Sequence, residues 1–88
     1  MTYLIKIPHE EKDCLKALDE QLAKGSDVLE KFYFGCMAGD HTAYTIVNVG
    51  SEAEARKLVP ISLLDRTVIT EVKKLSPEMI RSFHTKAA

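Results

Sequence analysis

Only two cysteines, Cys14 and Cys36, occur in the 88 residues. Two are too few and too unpatterned for the disulfide framework of a small secreted domain, so a reducing cytoplasmic setting is expected. No apolar run approaches the ~18 residues that a membrane span requires. The opening stretch, MTYLIKIPHEEK, lacks the basic-then-apolar layout of a secretory signal. Neither sign of charge dominates: 12 Lys and Arg stand against 13 Asp and Glu, for a net charge of −1. Without a basic excess to neutralise phosphates, a nucleic-acid partner is not expected. No low-complexity stretch or linker interrupts the chain, which is of a length for one core. A chain this short hides only ~60–65% of its extended surface on folding, so a brace such as a partner subunit is in order.

What is present is a clear sequence of periodicities. Tyr3 to Ile7 alternates as a strand ended by Pro8. From His9 to Lys24 the period changes: Cys14, Leu15, Leu18 and Leu22 form one helical stripe with Ala17 alongside, and Gly25 is the stop. Val28 to Met37 and Thr42 to Val49 are rich in aromatic and branched residues, and Gly39-Asp40 between them suits a two-residue hairpin turn. Ser51 followed by Glu54 is a capping box for a short helix running to about Val59, stopped by Pro60. Arg66 to Leu75 alternates as a fourth strand, and Ser76-Pro77-Glu78 opens a closing helix.

The order is β-α-β-β-α-β, which predicts an α+β, ferredoxin-like, four-stranded antiparallel sheet over residues 1–75, with both helices on one face. Residues 76–88 form the added C-terminal helix and tail. Right-handed crossovers put the first and third strands in the centre and the hairpin's first strand at an edge. Tyr3, Ile5, Ile7, Val68 and Val72 are assigned to the helix-covered face. Leu4, Lys6, Tyr33, Met37, Tyr44, Ile46, Asn48, Ile69 and Glu71 are assigned to the reverse. So much apolar surface seldom stays exposed, and two subunits packing face to face would bury it. On this element order and patterning, nearly the whole chain resembles the dimeric α+β barrel superfamily. That resemblance implies ferredoxin-like sheets paired across such a face as a homodimer. Its members include isomerases, cofactor-independent monooxygenases and haem-degrading enzymes. No member's catalytic motif is present, so no functional residue carries over.

Candidate sites follow from the reverse face. Tyr33, Tyr44, Lys6, Asn48, Ile46 and Met37 would line a pocket for a small, partly apolar molecule, with apolar walls and a few converging polar groups. If the protein is an enzyme, Tyr44, His41 and Glu71 are the proton-handling candidates. The third reading is a structural or regulatory subunit without a pocket. The stretch CMAGDHTAY carries Cys36 and His41 diagonally on one face, but His9 and His84 stand alone in the sequence and no second Cys/His cluster exists. No metal site and no cofactor are therefore expected.

Overall fold

A computed structural model describes residues 1–87. It is an α+β fold: a four-stranded antiparallel sheet with helices. Strand β1 spans Thr2–Pro8, β2 Tyr33–Phe34, β3 Thr42–Asn48 and β4 Val68–Glu71. Helix α1 covers Cys14–Lys24, α2 Ser26–Leu29, α3 Glu52–Arg56 and α4 Pro77–Ala87. The order across the sheet is β2-β3-β1-β4, with β1 and β3 central and β2 at an edge, as the crossover argument expects. Among the described residues no helix is long and apolar enough to cross a membrane.

The central pair is set by alternation. Tyr3, Ile5 and Ile7 are buried, and they pair with the buried Val47, Thr45 and Ala43. Over this face lie Ala17 and Gln21 of α1, Ala55 of α3, and Val59 and Leu63 beyond it. The expected stripe of α1 is rotated. Leu15 and Leu22 are exposed, while Ala17 and Gln21 face inward. A small alanine lets the helix sit close to the sheet, and Gln21 Nε2 donates to the Leu58 carbonyl at 2.8 Å, tying α1 to the end of α3.

Helix limits follow their caps. Gly25, at φ 129°, ends α1. Ser51 Oγ accepts from the Glu54 amide at 3.2 Å, and the Glu54 carboxylate accepts from the Gly50 amide at 2.8 Å. Ser76 Oγ accepts from the Met79 amide and starts α4. Helix α3 stops at Arg56, short of the expected Val59.

Two expectations for the sheet are corrected. The hairpin is wider than a two-residue turn, because the chain leaves β2 at Gly35 and makes a 3-10 turn over Cys36–Ala38. Gly39 does supply the positive φ, at 89°. The ladder accordingly pairs Tyr33 with Tyr44, not Gly35 with Tyr44. This slip of two residues keeps every side chain on its face, but it removes Cys36 and Met37 from the strand. Much of Val28–Phe32 instead forms α2 and the turn after it.

The second correction concerns β4, whose faces are reversed. Ile69 pairs with Ile5 and packs on the core, whereas Val68 pairs with Lys6 and Thr70 with Leu4. Both parities of Val68–Lys73 carry apolar residues, so alternation alone was ambiguous there. Glu71 pairs with Tyr3 and belongs to the helix-side parity, and Val72, adjoining Thr2, to the reverse.

Helix α4 stands apart. Every side chain from Pro77 to Thr85 is exposed, including Met79, Ile80 and Phe83. The radius of gyration is 16.1 Å, with a long axis of 52 Å. A compact chain of this length would have a radius near ~12 Å. The helix projects from the body and does not cap it.

Candidate functional site

Two places gather chemistry, one on each side of the sheet. The bare side carries Tyr33, Tyr44, Lys6 and Val68 as one row across four strands, with Ile46, Leu4 and Thr70 as the next. Tyr33 and Ile46 are 77% and 66% exposed, too open for any side chain of their own subunit to cover them. Because β2 is so short, β3 has an unpaired edge beyond Tyr44. There an open cleft of about 640 Å³ runs past Leu4, Lys31, Tyr33, Tyr44, Ile46 and Asn48. Four of the expected ligand residues therefore share a cleft. Lys6 lies on the same face outside it, and Met37 is wholly exposed on the turn.

At one end of this cleft the Tyr44 hydroxyl donates to Asp40 Oδ2 at 2.7 Å. That bond, with help from Thr42, holds the Asp40 carboxyl below its usual range, and it raises the phenol of Tyr44. Tyr44 is thus a held hydrogen-bond donor and a reluctant acid. At the far end, Asn48 Oδ1 accepts from the Met1 amine at 3.1 Å.

The residues considered for proton transfer do not converge. Tyr44 leaves the bare face, while the His41 ring lies against His9 at the mouth of the helix side. Glu71 sits opposite Tyr3 near the other end of β1. Lys6 and Glu71, on neighbouring strands, leave opposite faces and form no pair.

The helix side holds an arrangement that separation in sequence concealed. One donor atom from each of His9, Cys14 and Cys36 lies within 4.8 Å of the others. Cys14 Sγ and Cys36 Sγ are 2.9 Å apart, and Cys36 Sγ is 3.4 Å from His9 Nε2. The hydrogen bond to Cys36, followed by burial, pushes the Cys14 thiol up to about 11. His9 Nδ1 lies 3.2 Å from the Ile7 carbonyl. A carbonyl only accepts, so Nδ1 is the donor in this contact, and Nε2 is the ring nitrogen turned toward the sulfurs.

Each member is placed by its own element. His9 follows β1 and bonds the His41 carbonyl through its amide at 2.9 Å, so the two histidines are cross-strand neighbours. Cys14 is the first residue of α1, and Cys36 opens the turn after β2. His41 stands beside this group but outside it: its ring centroid is 6.0 Å from that of His9, its nitrogens fall outside the 4.8 Å grouping, and its buried Nδ1 has no partner among the described residues. His9 continues the parity of Ile5 and Ile7, and this was the one readable sign that it faces the covered side with His41.

Comparison with protein-family models, with curated proteins and with solved structures gives no match for this chain.

Proposed function

We propose that the protein is a homodimer of ferredoxin-like sheets, paired face to face as in dimeric α+β barrels, that binds a small, partly apolar molecule between them. The observation that carries this reading is the bare apolar face together with a helix whose side chains from Pro77 to Thr85 are all exposed. Tyr33, Ile46 and Val68 lie exposed and Leu4 half-buried on one side, and Met79, Ile80 and Phe83 form a second exposed stripe on α4. A second copy related by a twofold axis offers each stripe a complementary surface, the sheet for the sheet and the body for the projecting helix. The sheet face measures roughly 24 Å along β1 by ~19 Å across the strands. With a helical stripe of ~16 Å added, this is on the order of the ~800 Å² per partner of a stable interface.

The cleft beside Tyr33 and Tyr44 would be roofed by the partner, which would turn an open groove into a bounded site. Leu4, Ile46 and the tyrosine rings supply the walls, and Asn48, Lys31 and the held Tyr44 hydroxyl supply polar contacts at the ends. The dispersal of Tyr44, His41 and Glu71 favours binding over catalysis. The reading keeps the chain in a reducing compartment, where both cysteines persist as thiols.

Light scattering at micromolar concentration tests the pairing: twice the chain mass is expected, and removal of residues 76–88 should weaken it. A strictly monomeric mass independent of concentration overturns it. For the cleft, an environment-sensitive apolar dye should bind the wild type and be lost in Tyr33→Ala. Equal binding by that variant removes the site.

A further inference from the structure

We propose that His9, Cys14, Cys36 and His41 form a zinc site that stitches the end of β1, the start of α1 and the wide turn after β2. The inference does not depend on the pairing or on the cleft, which lie across the sheet.

The donor set suits the ion. Zinc in structural sites is held by four nitrogen and sulfur ligands in a tetrahedron, with Zn–S near ~2.3 Å and Zn–N near ~2.05 Å. Those lengths put tetrahedral neighbours at ~3.6 Å for sulfur to nitrogen and ~3.8 Å for sulfur to sulfur. Cys36 Sγ and His9 Nε2 already stand at 3.4 Å. The two sulfurs, at 2.9 Å, have to part by somewhat under an ångström. Two imidazoles on one zinc have centroids ~5.2 Å apart, so His41, with its centroid 6.0 Å from that of His9 and its nitrogens outside the three-residue group, has to swing inward to become the fourth ligand.

Second-tier contacts fit as well. A ligating imidazole ordinarily gives its other N–H to a carbonyl or carboxylate, and His9 Nδ1 does so to Ile7. His41 supplies the independent sign: its Nδ1 is buried with no partner among the described residues. An orphaned buried ring nitrogen is costly unless something occupies it. A small cavity of about 10 Å³ adjoins His9 and Cys14, walled by Phe34, Leu18 and Leu63.

The binding step moves no electrons. Zn²⁺ takes the lone pairs of two imidazoles and two thiolates, and the two thiol protons pass to solvent.

The test uses the full-length protein kept reduced, titrated with Zn²⁺ against a chromogenic chelator, and with Co²⁺ as a spectroscopic substitute. One zinc per chain is expected, together with thiolate-to-cobalt absorption in the near ultraviolet and the intense visible bands of tetrahedral cobalt. The Cys14→Ser/Cys36→Ser double variant should lose both signals, with circular dichroism showing that it remains folded. His9→Ala and His41→Ala, which leave the thiols in place, should each weaken zinc at least tenfold. Met37→Ala, next to Cys36 but wholly exposed, should bind as the wild type does. Absence of the cobalt–thiolate band in the reduced wild type overturns the site, as does full zinc stoichiometry in the double-serine variant. Unchanged affinity in His41→Ala overturns the fourth-ligand assignment.

Discussion

Replacing Ile46 by alanine should weaken self-association steeply while leaving the fold of each subunit intact. Ile46 lies on central strand β3, beside Leu4 of β1, in the middle of the bare face. The change removes three carbons, each worth ~0.8 kcal/mol when buried. Because the residue is 66% exposed in the single subunit, about two thirds of that gain would arise on pairing. The loss is then about 1.6 kcal/mol per subunit and, since a twofold interface carries the change twice, about 3 kcal/mol in all. At ~1.4 kcal/mol per factor of ten, the dimer dissociation constant should rise roughly 150-fold. Sedimentation equilibrium across nanomolar to micromolar protein would measure it, with a urea melt of the monomer as the control for folding. A dissociation constant changed by less than about threefold would show that Ile46 is not covered by a partner, and the face-to-face arrangement would fall with it.

Gly35→Ala should destabilise the subunit, because the added Cβ would stand 2.5 Å from the Asp40 carbonyl oxygen. A loss of about 1–3 kcal/mol is expected from such a clash, read as a lower urea midpoint at constant slope. Ser51→Ala removes the acceptor of the Glu54 amide, at a cost of about 0.5–2 kcal/mol by the same assay. Asp40→Asn tests the Tyr44 bond through pH. The Asp40 pKa is lowered in the folded state, so its contribution is full above the ordinary value of 3.8 and is lost as pH falls through the lower folded value. Tyr44 is raised, so its share is present below the ordinary 10.0 and fades as pH climbs through the higher folded value. The stability gap between wild type and Asp40→Asn should therefore be widest near neutrality and close at both extremes; a gap constant with pH would contradict the assignment.

The central part of the fold was legible because its physics is local. Tyr3–Ile7 has one parity that is plainly more apolar, Thr42–Asn48 is a run of branched and aromatic residues with a turn signal before it, and Ser51, Ser76 and Gly25 carry their caps on their own side chain or φ. The edges were less legible. In β4 both parities contain a branched residue, so the faces were decided by the tertiary register that pairs Ile69 with Ile5. The stripe of α1 was misplaced for a similar reason. Leucines looked like the buried positions, but close approach to the sheet selected Ala17, and the open Leu58 carbonyl selected Gln21. The cluster of His9, Cys14 and Cys36 was hidden for a third reason. Its members come from three parts of the fold, and the two cysteines stand 22 positions apart, without the close Cys pair by which zinc motifs are read.

That hidden cluster bears on how so small a chain holds together. Strand β2 is two residues long, and the seven residues from Gly35 to His41 that follow it bury no side chain fully. The turn is fastened by backbone bonds of Asp40 and Ala38 to Gly35, by Gly35 to Thr42, and by Cys36 reaching back to Cys14 and His9. Two contacts leave the hairpin: the His9 amide bonds the His41 carbonyl at the foot of the turn, and Cys36 is the side chain of the 3-10 turn that reaches the body. A thiol–thiol contact is a weak fastening, whereas a tetrahedral ion joining the turn to β1 and α1 is a strong one. The same turn carries Asp40, which holds Tyr44 at the end of the cleft on the other side. A firm turn therefore serves both faces. If the ion binds, amide exchange over residues 35–41 should slow, and Asp40 and Tyr44 should be fixed with it. Zinc that left exchange in this segment unchanged would have to be held elsewhere.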